Sequence, residues 1–107
     1  MDKDITSFVL DTGWAAVAGV DVAELIEKLE GRIDILHLKD FTIKNKGNWD
    51  FCPDTVEVGY GNVSWDRIIA AAEKIGVKHY CVEQDYCSYD SIKSLSMSAE
   101  FLKKYMA

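Results

Sequence analysis

The sequence predicts an α/β fold built on a parallel β-sheet. Three short apolar runs, each of a length suited to a buried strand, alternate with stretches whose apolar residues recur at helical spacing. Strands that alternate with helices are joined by right-handed crossovers, which make the strands parallel and cover both faces of the sheet. With 107 residues, 49% of them hydrophobic and 28% charged, the composition suits a globular protein, and we expect residues 1–107 to form a single domain.

Composition also excludes several functional classes. The 12 basic and 18 acidic residues give a formal net charge of −6, which argues against a nucleic-acid partner because each phosphate contact needs local positive charge. The three cysteines lack CxxC spacing, so neither a disulfide framework nor a thiolate zinc site is indicated. No segment resembles a signal peptide or approaches the roughly 18 apolar residues of a membrane span. We expect a cytoplasmic protein that has no contact with a membrane.

The first βα unit lies in the N-terminal third of the sequence. Ile5–Leu10 is a β-rich apolar run that breaks at Asp11, so a buried strand is predicted there. A helix is predicted over about Asp21–Glu30, with Asp21 as the N-cap and Gly31 just past the end.

The second unit contains a long connection. Ile33–Leu38 is a second apolar run and is predicted as a strand. Residues 41–61 are rich in glycine, asparagine and lysine, which predicts a long loop of the kind that often carries function. Apolar residues at helical spacing from Trp65 to Ile75 predict a helix, with Asn62 or Ser64 available as the cap and Gly76 as the terminator.

The third unit closes the chain. His79–Val82 is a short apolar run predicted as a strand, and a helix is predicted through Ile92, Leu95, Met97, Phe101, Leu102 and Tyr105. A complete (β/α)8 barrel needs about 250 residues, so three such units would form part of one. A small open sheet is the alternative, although three parallel strands alone would leave two unpaired edges.

Each predicted strand ends in an ionisable residue. Asp11, His37 and Glu83 lie at or just beyond the three C-terminal strand ends, where parallel α/β folds build their sites. Side chains alternate along a strand, so all three could point to one face and form a divalent metal site. Strand-terminal polar residues also commonly cap helices or face solvent, and this simpler interpretation stays open for each of them.

Four segments together resemble the xylose-isomerase-like sugar phosphate isomerase/epimerase family, over nearly the whole chain. They are DTGW with Ala18-Gly19, GRI leading to HLKD, VGYGN with Trp65, and VEQD. The resemblance implies that the chain is the C-terminal portion of a TIM barrel, with about three βα units. It also implies a divalent ion, Mn, Mg, Co or Zn, held by a Glu, an Asp, a His and a second Glu from the last four strands.

The resemblance assigns roles to particular residues. Asp11, His37 and Glu83 match the last three metal ligands, and Glu83 matches one of two carboxylates that move a proton beside a carbonyl. The first Glu has no counterpart in this sequence. Trp14 stands where many epimerases carry a substrate-binding His, and Lys39 could contact substrate oxygens or pair with Asp40. The implied partner is a small sugar or sugar phosphate.

These observations leave three functional hypotheses. The first is a metal-dependent sugar or polyol isomerase or epimerase, which we expect to be inactive as this chain alone. The second is a non-catalytic module that forms a homo-oligomer or pairs with a complementing N-terminal chain to cover its sheet edges. The third, a barrel nuclease for abasic DNA, is opposed by the acidic charge and by the lack of further His ligands.

Overall fold

A computed structural model describes residues 2 and 4–106, which contain five strands and four helices. The predicted domain, residues 1–107, includes residues 1, 3 and 107, which lie outside the described residues. The elements in chain order are β1 (Phe8–Asp11), α1 (Thr12–Val17), α2 (Val22–Lys28), β2 (Ile33–Leu38), β3 (Asp40–Asn45), β4 (Phe51–Val56), α3 (Trp65–Ile75), β5 (His79–Val82) and α4 (Ser91–Leu102). None of the helices in this part of the chain is long and apolar enough to cross a membrane.

The three predicted strands form one parallel sheet in the order β1-β2-β5. Asp11 pairs with His37, and His37 pairs with Cys81 on the other side, so the C-terminal ends of the strands lie at the same edge. The predicted α/β class with parallel strands is therefore confirmed. A sheet of three strands is consistent with part of a barrel.

Most element bounds follow from signals in the sequence. The bounds of β2 and β5 agree with the predicted ranges. Helix α3 begins at Trp65 after Ser64 and ends at Ile75, and Gly76 follows as its C-cap in the left-handed conformation, with φ 80°. Asp21 caps α2 as predicted, with its Oδ1 accepting a hydrogen bond from the Glu24 amide at 3.1 Å.

Two predictions at the start of the chain needed correction. Strand β1 begins at Phe8 rather than Ile5, whose side chain is exposed. The short helix α1 was not predicted, because its six residues are too few to show a helical repeat. It starts directly after β1, where the Asp11 carboxylate accepts a hydrogen bond from the Trp14 amide at 2.9 Å.

The prediction of a long loop over residues 41–61 was wrong in its first part. Strands β3 and β4 pair antiparallel there, from Asp40 opposite Val56 to Asn45 opposite Phe51. The turn between them places Asn48 and Trp49 at positive φ, 53° and 63°. The lysine, asparagine and glycine residues of this turn are typical of loops, so the whole segment was predicted as a loop although residues with β-strand propensity lie on either side of the turn.

The core lies between one face of the sheet and helices α2 and α3. Leu36 and Leu38 of β2 point into it and meet Ile26 of α2 and Ile69 of α3, all of them buried. The last helix differs from its predicted pattern, because its most buried residues are Ser94, Ser98 and Leu102, whereas Ile92 and Leu95 are exposed. The helix is held by polar contacts as well as apolar ones.

Among the residues that the structure describes, no other side chain accepts as many hydrogen bonds as the carboxylate of Asp40. It is 0% exposed and accepts hydrogen bonds from the Trp65 indole at 2.7 Å and from the backbone amides of Phe41, Gly59, Gly61 and Val63 at 2.9–3.1 Å. A buried charge is tolerated only when its lone pairs are satisfied in this way. Asp40 therefore fixes the segment that joins β4 to α3.

The two glycines of this segment are required by close packing. A Cβ at Gly61 would collide with the Asp40 carboxylate and the Phe41 carbonyl, and one at Gly59 would collide with the Phe101 ring. Gly59 also has φ 96°, which L residues rarely adopt. The Gly-x-Gly spacing seen in the sequence thus lets the backbone amides approach the carboxylate.

Replacing Asp40 should destabilise the fold strongly. We expect Asp40→Asn to lower the free energy of unfolding by about 3 kcal/mol or more, because an amide cannot accept from all five donors and presents N–H groups to some of them. Urea unfolding followed by far-UV circular dichroism measures this. The control is Asp50→Asn in the exposed hairpin turn, and equal midpoints for the two variants would contradict the role of Asp40.

A second buried carboxylate, Glu57, connects β4 to the last helix. It is 7% exposed and accepts hydrogen bonds from the Tyr89 hydroxyl and from the Ser94 hydroxyl at 2.9 Å. Burial raises the pKa of Glu57, but the hydrogen bonds, led by that of Tyr89, outweigh it, so the pKa lies below its ordinary value. The bond to Glu57 also raises the pKa of Tyr89 to about 12.

The stabilisation that Glu57 provides should depend on pH. Since its pKa is depressed in the folded state, the contribution is present above its ordinary pKa of 4.5 and is lost as the pH falls through the folded value. Glu57→Gln should therefore destabilise the protein at neutral pH, and the difference from wild type should shrink in acid. Thermal melts across this range test it, with Glu30→Gln as an exposed control; a constant difference would refute the linkage.

Candidate metal centre

Asp11, His37 and Glu83 come together at the C-terminal edge of the parallel sheet. One ligand atom from each lies within 4.8 Å of the others. His37 Nδ1 is 3.1 Å from Glu83 Oε2 and 3.8 Å from Asp11 Oδ2. The structure therefore gives these three residues the convergent geometry that strand parity predicts.

Backbone geometry explains this convergence. Asp11 ends β1 directly beside His37 in the register of β1 with β2. Glu83 follows β5, and its amide donates to the Leu38 carbonyl at 3.1 Å, which extends the strand pairing by one residue. Asp11 turns one carboxylate oxygen to the start of α1 and leaves the other, Oδ2, facing His37.

Lys39 adds a positive charge to this cluster. Its side chain is 5% exposed, and Nζ lies 2.8 Å from Asp11 Oδ2, 2.8 Å from Asp85 Oδ1 and 3.5 Å from Glu83 Oε2. Burial lowers the pKa of Lys39, but the hydrogen bonds and charges of Asp11 and Asp85 outweigh it, and the net pKa is raised. Lys39 therefore stays charged. The prediction that Lys39 could pair with Asp40 was wrong, because its ammonium pairs with Asp11, Asp85 and Glu83 instead.

Trp14 borders the cluster through Asp85. Its indole Nε1 donates to Asp85 Oδ2 at 3.1 Å, and the Lys39 ammonium lies 5.8 Å from the centre of its ring. About half of the Trp14 side chain is exposed. The structure thus places both predicted substrate-binding residues, Trp14 and Lys39, next to the three candidate ligands.

Thr12 was missed as a residue that supports the site. It is 0% exposed, and its hydroxyl lies 2.9 and 3.1 Å from the carbonyl oxygens of His37 and Lys39, to which it can donate, while accepting from the Lys39 amide at 3.0 Å. The hydroxyl therefore ties the start of α1 to the end of β2. A threonine directly after a strand-terminal aspartate carried too little signal to identify this role.

Asp85 was also not predicted as a member of the site. Its position two residues after Glu83 could have indicated it, because alternation in an extended chain returns a side chain to the same side. Two other residues that could bind a ligand do not belong to this cluster: Trp49 lies in the exposed hairpin turn, and His79 is exposed at the start of β5.

The donor set suits a divalent cation. A carboxylate oxygen, an imidazole nitrogen and a second carboxylate oxygen are ligands that Mn, Mg, Co and Zn accept to different degrees. The side chains of Asp11, His37 and Glu83 are 21%, 26% and 37% exposed, so an ion could reach them from solvent. The residues present thus fit such an ion.

Comparison with known proteins gives matches at the level of structure. No protein-family profile matches the sequence, and no curated protein matches it. A sugar phosphate isomerase/epimerase from Parabacteroides distasonis matches with a TM-score of 0.74 and 21% identity, over 97% of this chain and 33% of its own length. A second one from the same organism matches with a TM-score of 0.72 and 25% identity, over 95% and 31%.

The chain therefore spans about a third of the length of these solved structures. Its fold is similar to a corresponding part of each. The likeness supports the general resemblance to sugar phosphate isomerases/epimerases that the sequence motifs indicate.

The hydroxyl of Thr12 provides a test of how the cluster is positioned. We expect Thr12→Val to lower the free energy of unfolding by about 1–3 kcal/mol, because a valine of the same shape leaves the Lys39 amide and its neighbouring carbonyls without their buried partner. Thr12→Ser is the matched control and should retain most of the stability. Chemical unfolding measures both, and a valine variant as stable as the serine variant would show that the hydroxyl bonds contribute little.

Proposed function

We propose that residues 1–107 are the C-terminal βα units of a (β/α)8-barrel enzyme, a metal-dependent isomerase or epimerase of small sugars, polyols or sugar phosphates. The observation that carries the proposal is the meeting of Asp11, His37 and Glu83 at the C-terminal edge of a parallel sheet, where barrel enzymes build their active sites. The resemblance of the sequence motifs and the likeness to two sugar phosphate isomerases/epimerases support it.

Each residue has a proposed part in this chemistry. Asp11, His37 and Glu83 would hold the divalent ion, which when bound polarises substrate oxygens. Glu83 has the most exposed side chain of the three and would move a proton at the carbon beside a carbonyl, as general base or acid. Lys39 and Trp14 would orient the substrate, Lys39 through its ammonium and Trp14 through its half-exposed indole.

The proposed site needs more than these residues supply. The resemblance implies two carboxylates that exchange a proton between the two faces of a carbon, and the described residues offer Glu83 as the match to one of them. The resemblance also implies a fourth ligand from a further strand. We therefore propose that this chain alone is inactive, and epimerisation of a sugar by a strictly monomeric sample would overturn that statement.

Metal binding tests the proposal directly. We expect Mn²⁺ to bind to the wild-type protein, and His37→Ala to weaken binding by about tenfold or more because the only nitrogen ligand of the cluster is removed. Isothermal titration calorimetry without substrate measures this. The control is His79→Ala, which removes the other histidine from an exposed position on β5, and equal affinities in the two variants would remove His37 from the site.

A second candidate function is a module that is completed by association. Strands β1 and β5 are each hydrogen-bonded on one side only within residues 2 and 4–106. The sheet face that carries the candidate ligands also exposes Val9 and Cys81, and α4 exposes Ile92 and Leu95. Exposed edges and apolar faces of this kind favour a homo-oligomer or a complementing N-terminal chain that supplies further βα units.

Solution mass distinguishes this module from a self-sufficient domain. We expect the mass measured by sedimentation to rise with concentration, or the protein to form a complex with a separately produced chain of N-terminal βα units. Hydrogen exchange should show rapid exchange at the outer edges of β1 and β5 in any monomer. A stable monomer with native protection on both edges would contradict this candidate.

A further inference from the structure

We propose that Lys39 is an internal cation that competes with a divalent ion for Asp11 and Glu83, and that Asp85, oriented by Trp14, moderates this competition. The inference rests on the metal site proposed above and concerns how tightly that site binds its ion. It assigns Lys39 a role in the absence of any substrate, distinct from contact with substrate oxygens.

The geometry shows that the ammonium shares atoms with the candidate site. Lys39 Nζ contacts Asp11 Oδ2 at 2.8 Å and approaches Glu83 Oε2 at 3.5 Å. These are the same two oxygens that face His37 Nδ1. An ion held by Asp11, His37 and Glu83 would therefore draw on carboxylate oxygens that already neutralise a lysine.

Packing keeps this charge in place. The Lys39 side chain is 5% exposed, and its stem lies over Gly13, where an added Cβ would come within 2.9 Å of Lys39 Cγ. The ammonium cannot leave the cluster for solvent without losing this packing. A fixed positive charge a few ångströms from a bound cation repels it, and the low exposure strengthens the repulsion.

Asp85 gives the ammonium a partner outside the ligand set. Its Oδ1 is 2.8 Å from Lys39 Nζ, and its Oδ2 accepts from the Trp14 indole at 3.1 Å. The indole thus fixes which oxygen faces the lysine. Asp85 offsets the lysine charge and can hold the ammonium when Asp11 and Glu83 turn to an ion, so Asp85 and Trp14 act as positioning residues.

The test is Mn²⁺ titration by calorimetry, at low salt and without substrate, on four variants. Lys39→Met should bind Mn²⁺ about tenfold more tightly or better than wild type, because it removes the competing charge. Asp85→Asn should bind several-fold more weakly, and Trp14→Phe should weaken binding in the same direction by a smaller factor. Lys44→Met, on the exposed hairpin, is the control for the loss of a lysine and should match wild type.

Thermal melts of the metal-free proteins supply a second readout. Lys39→Met should melt at a lower temperature than Lys44→Met, since Asp11, Glu83 and Asp85 then repel one another, and Mn²⁺ should raise its melting temperature more than it raises that of wild type. If Lys39→Met fails to fold, Mn²⁺ binding by Asp85→Asn and Trp14→Phe still tests the competition. Both of these variants should fold, because the side chains that they change are partly exposed.

The outcomes separate this inference from the metal site itself. His37-dependent Mn²⁺ binding that is unchanged or weaker in Lys39→Met, or unchanged in Asp85→Asn, would overturn the competition and leave the site intact. Mn²⁺ binding that is absent from wild type and Lys39→Met alike would overturn both proposals. Tighter binding in Lys39→Met together with weaker binding in Asp85→Asn would support them.

Discussion

The buried carboxylate of Asp40 is the constraint on which the geometry of this protein depends. A charge at 0% exposure is stable there because one indole and four backbone amides donate to it. Four of these five donors belong to residues 59–65, which lead into α3 and begin it. The carboxylate therefore joins the start of β3 to the helix that covers the sheet. His37 and Lys39 precede it closely in the chain, so this anchor holds the backbone that directly follows them.

Two opposite charges stand next to each other at Lys39 and Asp40, yet they do not pair. In an extended chain successive side chains point to opposite sides, so His37 and Lys39 face the cluster while Leu38 and Asp40 face the core. Each charge is then satisfied separately, Lys39 by Asp11 and Asp85 and Asp40 by N–H donors. The alternation of side chains thus places the Lys39 ammonium inside the candidate metal centre, while the carboxylate of its sequence neighbour Asp40 points to the core and does not neutralise it.

The sequence was most informative where the signal is local. Strands β2 and β5 and helix α3 are marked by continuous apolar runs, helical spacing and a terminal glycine, and their bounds were predicted closely. The β3–β4 hairpin and the short helix α1 were not predicted. Turn residues dominate the sequence of the hairpin, and the six residues of α1 are too few to show a helical repeat.

The candidate site also has parts that the sequence predicts and parts that it does not. Parallel strands and side-chain parity suffice to bring Asp11, His37 and Glu83 to one edge, whereas their role as metal ligands stays a prediction. The partners of Lys39 and the bridging hydroxyl of Thr12 depend on which residues of other strands and helices come near, and the sequence alone carries no such information.

The two proposed functions are connected by the face of the sheet on which they depend. Val9 and Cys81 are exposed on the same face that carries Asp11, His37 and Glu83, and a face with apolar residues open to water is stabilised by whatever covers it. Further βα units that pair with β1 and β5 and close the sheet into a barrel would cover this face. They could also bring a fourth ligand and a second carboxylate to the same edge. Completion of the fold and completion of the site would then be one event, so a partner that stabilises the chain through its sheet edges should also change how it binds a metal ion.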